Sequence, residues 1–422
     1  MNYVILGNGP TGVIAAETIR KADPPGHITM VGDESEPPYS RMAIPYLLMG
    51  NIDESGTYLR KDRDHFAKHK INMVTARATR VDSATKTVEL NNGTKLSYDK
   101  LLIATGSHTV SPPIPGMELP GIHPCWTLED ARKIAEQAKP GSRVLQMGAG
   151  FIGCIIMEAL SARGVKLTVV EMGDRMVPRM MTEGAGQLIK QWCEKKGVAV
   201  HTGARVESIE KSASEPGVLI AKLSNGQSIT ADLIISATGV KPNIAFLKDS
   251  GIKTGTGILV DNTMRTGVAD IYAAGDVAET MDFSTGKLTV NAIQPNAADQ
   301  GRIAGLNMAG KPATSQGSLA INVLDTLGLI SSSFGMWWGA EGGESAELVD
   351  PVNFRYMRLE FKNDVLVGAT SCGLTQHVGV LRGLIQTRTP LGHWKDLLRK
   401  DPTRIMEAYL ARAQAQNQIK AA

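Results

Sequence analysis

Two glycine-rich segments of the chain have the spacing of dinucleotide-binding loops. Residues 7–12 read GNGPTG and residues 148–153 read GAGFIG, and each lies between a short apolar run and a helix-like segment. The first glycine of such a loop permits a sharp turn, the second lets the backbone approach a pyrophosphate, and the third lets helix and strand pack closely. The helix N-terminus then offers N–H groups and a partial positive charge to the phosphates. One such segment is weak evidence, but two in one chain predict two bound dinucleotides.

An acidic residue ends the strand that follows each predicted helix. Asp33 lies 21 residues after position 12, and Glu171 lies 18 residues after position 153. Both intervals are close to the spacing of about 20 residues at which a carboxylate binds the hydroxyls of a ribose. In the first copy Glu34 is a one-residue alternative to Asp33.

The acid of the second copy bears on the choice of nicotinamide nucleotide. A carboxylate at Glu171 would accept hydrogen bonds from the ribose and repel a 2′-phosphate, which favours NADH over NADPH. Arg175 and Arg179 lie nearby in the sequence and offer an alternative, because either cation would accommodate a phosphate.

The composition is that of an ordinary globular protein. Its 422 residues correspond to two or three domains, and a net charge of +3 is too small to indicate a nucleic-acid partner. No apolar run reaches the length of about 18 residues that a membrane span needs, and the start of the chain has no secretion signal. These features predict a cytoplasmic protein.

The cysteines and histidines predict no metal site and no disulfide framework. The four cysteines are irregularly spaced and form no CxxC pair. His65 and His69 have the spacing of two ligands on one helix face, but no third ligand lies nearby.

The positioning elements are read from the apolar pattern. Strands are expected at 3–6, 27–31, 143–147 and 166–170, with a Pro/Gly-rich connector at 111–121. A small and polar stretch at 310–316 marks the entry to a C-terminal portion. There the pattern predicts strands at 356–361 and 365–368, helices at 378–385 and 394–412, and a frayed tail from residue 413.

Four further motifs carry a family resemblance. They are LLIATGS at 101–107, DLIISATGVKPN at 232–243, DIYAAGDV at 270–277 and AADQGR at 297–302. With them the chain resembles the pyridine nucleotide-disulfide oxidoreductase family, which includes ferredoxin and rubredoxin reductases, NADH oxidases, coenzyme A-disulfide reductases and the flavin part of nitrite reductases.

The resemblance implies an α/β fold with two Rossmann-like domains, as in glutathione reductase, and a C-terminal α/β interface domain. A discontinuous FAD-binding domain is expected at 1–112 and 242–316, an NAD-binding domain at 113–241, and the interface domain at 317–422. The last domain would allow a homodimer.

The resemblance also assigns cofactors to residues. FAD is expected at Gly7, Gly9, Pro10, Thr11, Gly12, Asp33, Glu34, Arg41, Ala104, Thr105, Gly106, Gly275, Asp276 and Gln300. NAD is expected at Gly148, Gly150, Phe151, Ile152, Gly153, Glu171, Ala237, Thr238 and Gly239. Gln300 and Gly301 are expected to open a helix whose N-terminal end faces the flavin.

Departures from the family define the flavin-side environment. Met42 stands where the thiol-using branch has a cysteine, and a thioether cannot pass through thiolate, disulfide or sulfenic acid states. Arg41 is kept, but Tyr46 and Ile155 replace the lysine and glutamate found in ferredoxin reductases. No residue of this set is a certain catalyst; the four shape the site.

The function implied is that of an FAD-dependent NADH:acceptor oxidoreductase. Hydride would pass from NADH to flavin N5, and electrons would then pass to an acceptor such as a small ferredoxin- or rubredoxin-like iron–sulfur protein. Two alternatives are an NADH oxidase or small-molecule reductase without a redox cysteine, and a flavin-bound interaction protein regulated by NADH.

Overall fold

The computed structural model describes residues 1–412 as two compact units. The first unit comprises Met1–Leu47, Ile52–His108 and Val240–Leu319. The second comprises Leu48–Asn51, Thr109–Gly239 and the chain from Ala320 onward. The division into three domains inferred from the resemblance stays a prediction.

The first unit is built on a five-stranded parallel sheet. Its spatial order is Ile271–Ala273, Lys100–Ile103, Asn2–Leu6, His27–Gly32 and Ile71–Thr75. The central strands are almost wholly buried, as expected for a parallel sheet covered on both faces. The strands predicted at 3–6 and 27–31 are confirmed. Residues 7–12 directly follow a central strand, and therefore lie at the carboxyl edge of the sheet, where open α/β sheets bind ligands.

Two helices of the first unit pack closely together. They are Pro10–Ala22 and Gln294–Met308. A Cβ on Gly301 would lie 2.5 Å from the carbonyl oxygen of Thr11, so glycine is needed at this approach. The expectation that Gln300 and Gly301 open the second helix is wrong, because the helix begins at Gln294, six residues earlier. Pro295 in the first turn is the local reason, since proline is favoured where a helix starts.

The second unit repeats the same sheet order. Its parallel strands are Ile122–Pro124, Leu233–Ser236, Arg143–Met147, Lys166–Glu171 and Ala199–Thr202. The strands predicted at 143–147 and 166–170 are confirmed. The helices of this part are Leu128–Gln137, Phe151–Ala162 and Glu183–Lys195.

Each parallel sheet is accompanied by a three-stranded antiparallel sheet that the apolar pattern did not predict. The strands are Ala78–Asp82, Thr87–Leu90 and Lys95–Ser97 in the first unit, and Val206–Lys211, Leu219–Leu223 and Ser228–Ala231 in the second. The remaining short strands are Ser107–Thr109, Val240–Pro242, Ile258–Leu259, Ala278–Met281 and Leu288–Thr289.

The C-terminal part of the second unit is a five-stranded antiparallel sheet. Its order is Ile321–Thr326, Leu329–Gly335, Val365–Cys372, Arg355–Lys362 and Glu344–Asp350. The strands expected at 356–361 and 365–368 are confirmed, and the other three were not predicted. The α/β class predicted from the sequence is therefore confirmed.

The helices that follow this sheet are Val378–Thr387 and His393–Lys400. The single helix expected at 394–412 is wrong, because the chain leaves the helix at Asp401 and a separate helix begins at residue 405. Pro402 explains the break, since proline lacks the N–H needed in a helix interior. The tail predicted from residue 413 lies outside the described residues.

The remaining helices are short: Ile44–Leu48, Glu54–Thr57 and His65–Lys68, with 3₁₀ turns at Arg41–Ala43 and Ala245–Leu247. Within residues 1–412 no helix combines the length and the apolar character that crossing a bilayer requires. The cytoplasmic location stays a prediction.

Candidate functional site

The first glycine loop, residues 7–12, has a backbone that only glycine permits at two positions. Gly7 has φ +112°, and a Cβ there would lie 2.1 Å from the carbonyl oxygen of Ala104. A Cβ on Gly12 would lie 2.0 Å from the carbonyl oxygen of Gly7. At Gly9, by contrast, a Cβ would meet no atom within 4 Å. Gly7 and Gly12 thus serve the turn and the close packing, whereas the open face at Gly9 fits a phosphate group approaching the backbone.

The second glycine loop, residues 148–153, repeats this arrangement. Gly148 has φ +98°, with a Cβ position 2.5 Å from the carbonyl oxygen of Ala237. The Cβ position of Gly153 lies 2.4 Å from the carbonyl oxygen of Gly148, and that of Gly150 is open. Phe151 begins the helix behind the loop. The second loop therefore also has room for a pyrophosphate next to a helix N-terminus.

The acids after the first loop are held away from it. Asp33 is exposed and lies 3.1 Å from the guanidinium Nε of Arg77. Glu34 accepts hydrogen bonds from Arg41 (Nη2 to Oε1, 2.7 Å) and from the hydroxyl of Tyr39 (2.5 Å). Of the two candidates, Glu34 therefore lies in the more ordered cluster, together with the predicted FAD residue Arg41.

The acid after the second loop contacts that loop directly. Glu171 Oε2 accepts a hydrogen bond from the backbone N–H of Ala149 at 2.7 Å, and Oε1 accepts one from Gly173 at 2.7 Å. The structure thus brings Glu171 to the second glycine loop, as expected for a carboxylate that binds a ribose beside that loop.

The second wall of each loop is formed by an A-T-G segment. Ala104 donates its backbone N–H to Leu6, and Ala237 donates to Met147, so the two segments are held in the same way. Thr105 is fixed further by Asn243, whose side-chain amide donates to the Thr105 carbonyl at 2.8 Å. The remaining predicted residues of these walls are Gly106, Thr238 and Gly239.

Asp276 lies partly buried in the first unit. The hydroxyl of Ser107 donates to Asp276 Oδ2 at 3.4 Å. Loss of hydration raises the pKa of Asp276, and this effect outweighs the Ser107 hydrogen bond and the charge of Arg41, which both lower that pKa. Gln300 is buried and accepts a hydrogen bond from the backbone N–H of Gly275 at 2.8 Å. Gln300 therefore braces the segment that carries Asp276.

A shallow, mainly apolar groove of about 520 Å³ contains two of the four predicted flavin-side residues. Met42 and Tyr46 are 45% and 53% exposed and line it, together with Ser40, Ala43, Gln294, Pro295 and Ala298. The groove lies at the start of the helix Gln294–Met308. Arg41 adjoins Met42 in the sequence, whereas Ile155 belongs to the other unit and is partly buried.

Two positions were missed from the sequence, one below the second glycine loop and one in the apolar groove. Gln146 is fully buried below the second loop and donates to the Gly148 carbonyl at 2.9 Å, while its Oε1 has no partner among the described residues. A glutamine within an otherwise apolar strand was the available signal. Ser40 donates to Gln294 Oε1 at 2.6 Å, and this pair is distant in sequence, so no local pattern could have found it.

All four cysteines are buried, and burial raises the pKa of each thiol. The pKa rises to about 12 for Cys125, Cys193 and Cys372. A thiol with such a pKa carries almost no thiolate near neutral pH, so none of these cysteines is a reactive nucleophile.

The two histidines with ligand spacing have other partners. His65 Nε2 lies 2.8 Å from Glu17 Oε1, and His69 Nδ1 lies 2.7 Å from the His65 carbonyl oxygen. Among residues 1–412 there is no cluster of three or more His, Cys, Asp or Glu side chains arranged to hold a metal ion.

With this geometry in place, the comparisons with known proteins define the class. Residues 1–299 match the family model described as pyridine nucleotide-disulphide oxidoreductase, and the chain belongs to this family. The resemblance inferred from the motifs is confirmed, and the protein is a flavin- and pyridine-nucleotide-dependent oxidoreductase.

Three known proteins illustrate the similarity. The epsilon subunit of NADH-dependent phenylglyoxylate dehydrogenase from Aromatoleum evansii is 34% identical over 393 residues, which cover 92% of each chain. NADH-rubredoxin oxidoreductase from Clostridium acetobutylicum is 29% identical, with 79% of this chain and 81% of that protein covered. The solved structure of an NAD-dependent persulfide reductase from A. fulgidus is 32% identical, with a TM-score of 0.83, and covers 92% of this chain and 77% of that one.

Proposed function

We propose that the chain is the FAD-binding, NADH-linked subunit of an enzyme system in which an iron–sulfur protein is the other electron carrier. The observation that carries the proposal is the absence of a usable thiol. Residue 42 is a half-exposed methionine in the apolar groove, and the four cysteines are buried with raised pKa values. This chain therefore has no thiolate for disulfide or persulfide chemistry. We infer that its reduced flavin passes electrons to an external acceptor instead.

The names of two relatives support the choice of partner. One relative, similar over 92% of both chains, is a subunit of a larger NADH-dependent dehydrogenase. The other is an NADH-linked reductase of rubredoxin. A chain of this type would connect a nicotinamide nucleotide with a one-electron carrier, and its own residues would bind both nucleotides and shape the groove.

The residues present fit the two nucleotides. The open face at Gly9 and the N-terminus of helix Pro10–Ala22 would bind the FAD pyrophosphate, and the groove at Met42 and Tyr46 would accept the flavin ring. Bound FAD would supply the conversion between hydride transfer and single-electron transfer. The chain's part is to bind and orient, so no protein acid or base is assigned to hydride transfer.

Glu171 supports NADH as the nucleotide. Its carboxylate is fixed beside the second loop, where a ribose hydroxyl would be accepted and a 2′-phosphate repelled. Arg175 does not offset this charge, because its guanidinium is hydrogen-bonded within its own loop. The exposed Arg179 is the cation that keeps NADPH as the alternative nucleotide.

Anaerobic reduction followed by reoxidation tests the proposal. The purified yellow protein is reduced with NADH or NADPH, and then mixed with ferredoxin, rubredoxin, quinone or oxygen. We expect fast reduction by NADH and fast reoxidation by an iron–sulfur protein. Faster reoxidation by oxygen would identify an oxidase instead, and slow reoxidation by every acceptor would favour a protein regulated by NADH.

A pair of variants at residue 42 tests whether the lack of a reactive thiol at the groove determines the chemistry. Met42→Leu keeps an apolar side chain and is expected to leave electron transfer intact, whereas Met42→Cys adds a thiol at the groove. Persulfide or disulfide reduction by the unaltered protein at a rate similar to that of Met42→Cys would contradict the proposal.

A further inference from the structure

Residues 336–343 form a loop between the strands Leu329–Gly335 and Glu344–Asp350 of the C-terminal sheet. The loop lies against the sheet at Gly368, where a Cβ would come 2.1 Å from the carbonyl oxygen of Met336. An open cavity of about 380 Å³ lies between the rest of the loop and the sheet. This cavity lies beyond residues 1–299, the part of the chain that matches the family model, and none of the predicted nucleotide-binding residues lines it.

Glu360 is a buried acid that lines this cavity. Its side chain is 5% exposed, and Oε1 accepts a hydrogen bond from Arg358 Nε at 2.6 Å. None of the described residues donates a hydrogen bond to the other oxygen, Oε2. A Cβ on Gly339 would lie 3.2 Å from Oε2, so glycine in the loop leaves this oxygen uncovered. Loss of hydration raises the pKa of Glu360 despite the opposing charge of Arg358, so a second donor would compensate a burial that the ion pair compensates only in part.

Arg358 provides hydrogen-bond donors on the same face of the sheet. It lies two residues before Glu360 on one strand, and side chains with this spacing leave the same face. Its side chain is 33% exposed, and only Nε makes a hydrogen bond. Nη1 lies 3.9 Å from Glu347 Oε1, which is too long for a hydrogen bond, and Nη2 has no partner among the described residues. The cavity wall therefore carries free guanidinium donors next to a free carboxylate oxygen.

Acids and cations are nearly balanced around the cavity. Four acids line it or contact a lining residue, and so do four cations: Glu341, Glu344, Glu347 and Glu360, and Arg358, Lys362, Lys395 and Arg399. Asp396 adds one exposed carboxylate, 3.8 Å from Arg399. A site with both signs of charge and little net charge favours a dipolar ligand over a simple anion or cation.

Trp338 supplies an apolar wall to this polar cavity. It is 53% exposed, and its ring is held edge-to-face by Trp337 at a centroid distance of 5.4 Å. We propose that the cavity binds an α-amino acid with an apolar or aromatic side chain. Its ammonium group would donate to Glu360 Oε2, its carboxylate would accept from Arg358 Nη2, and its side chain would pack on Trp338.

Calorimetric titration of the FAD-loaded full chain tests the ligand class. The probes are L-phenylalanine, hydrocinnamate, which lacks the ammonium group, and phenethylamine, which lacks the carboxylate. We expect one L-phenylalanine to bind per chain, and each analogue to bind at least about 10-fold more weakly, because each loses one hydrogen bond between charged groups. Absence of L-phenylalanine binding at millimolar concentration would overturn the proposal. So would binding of either analogue as tightly as the amino acid.

Two variants test the residues of the cavity. Glu360→Gln keeps the shape of the side chain but removes its charge, and we expect L-phenylalanine to bind about 10-fold more weakly. Trp338→Ala changes an exposed side chain and leaves the ion pair intact, so it keeps the test valid if Glu360→Gln folds poorly; it should also weaken binding. Val352→Ala is the matched control, since Val352 is 82% exposed and lies outside the cavity, and it should bind normally. Unchanged affinity in folded Glu360→Gln or in Trp338→Ala would overturn the proposal.

The amino-acid site and the proposed electron transfer can fail separately. Normal reduction of the flavin by NADH without binding of L-phenylalanine would refute the amino-acid site alone. Binding of L-phenylalanine by a protein that NADH does not reduce would refute the proposed function and support the amino-acid site.

Discussion

The first and second glycine loops share a backbone but differ in the residue that faces them from the neighbouring strand. In the sheets, Leu6 pairs with Val31, and Met147 pairs with Val170. The residue one step further is therefore Gly32 in the first unit and Glu171 in the second.

The space beside the loop is filled differently as a result. In the first unit the side chain of Asn8 occupies it, and a Cβ on Gly32 would lie 2.3 Å from the Asn8 amide nitrogen. In the second unit the loop residue is Ala149, and the carboxylate of Glu171 reaches its N–H. An acid near the expected spacing thus contacts the loop only where the loop residue is small.

The largest expected effect is a loss of stability at the last glycine of each loop, Gly12 and Gly153, where both loops leave no room for a Cβ. Gly12→Ala places a Cβ against a backbone oxygen that cannot move aside, and we expect a loss of about 3 kcal/mol or more in the free energy of unfolding. Chemical denaturation of Gly12→Ala and of Gly153→Ala measures both. Near-native stability of either variant would break the structural equivalence of the loops.

The middle glycines separate ligand binding from folding. Gly9→Ala and Gly150→Ala have room for the methyl group, and in the nucleotide-free state they are expected to fold with unchanged melting temperatures. Each should lose affinity for its own nucleotide, by about 10- to 100-fold, because the methyl group occupies the approach of the pyrophosphate. Flavin content and NADH titration provide the measurements. Loss of NADH binding in Gly9→Ala alone would contradict the assignment of the loops.

Substitution of Glu171 should weaken nucleotide binding more than substitution of Asp33, because only Glu171 contacts its glycine loop. Glu171→Gln is expected to weaken NADH binding about 10-fold, the scale of a hydrogen bond to a charged group. Asp33→Asn is expected to change FAD affinity by less than about 2-fold, because this exposed carboxylate is paired with Arg77. Fluorescence titration of both variants gives the ratio. A larger effect for Asp33→Asn would reverse the comparison.

The smallest expected effect is the contribution of Asp276, in the first unit, to the pH dependence of the free energy of unfolding. Partial burial raises the pKa of Asp276 above its ordinary value of 3.8, so folding takes up a proton between the ordinary and the raised value. This group therefore favours folding of flavin-free protein as the pH falls through that window, and opposes it above the raised pKa. Asp276→Asn should stabilise flavin-free protein at pH 7 and flatten this pH dependence. Denaturation of both proteins from pH 4 to 8 measures the difference, and a less stable variant at pH 7 would contradict it.

The sequence predicted the loops and their strands because those signals are local. Glycines at fixed spacing after an apolar strand require no distant partner, and their geometry is as expected at Gly7 and Gly148. The C-terminal strand Leu329–Gly335 was missed for a physical reason: it buries Ser331, Ser332 and Ser333, which give no apolar alternation.

The residues that surround Glu34 and Glu171 could not be predicted from the spacing of motifs in the sequence. Arg175 was a candidate for a phosphate, but its guanidinium donates to the backbone carbonyl oxygens of Met181 and Pro178, contacts that no sequence spacing predicts. Glu34 likewise accepts hydrogen bonds from Tyr39 and Arg41, and these contacts form only once the chain folds back between residue 34 and residues 39–41.

The buried cysteines have a practical consequence for work with this protein. Since Cys125, Cys154, Cys193 and Cys372 are enclosed in the fold, alkylating reagents should modify them only when the chain opens. Their labelling rates would then report local opening around each position, and storage under air should not crosslink native molecules into covalent aggregates.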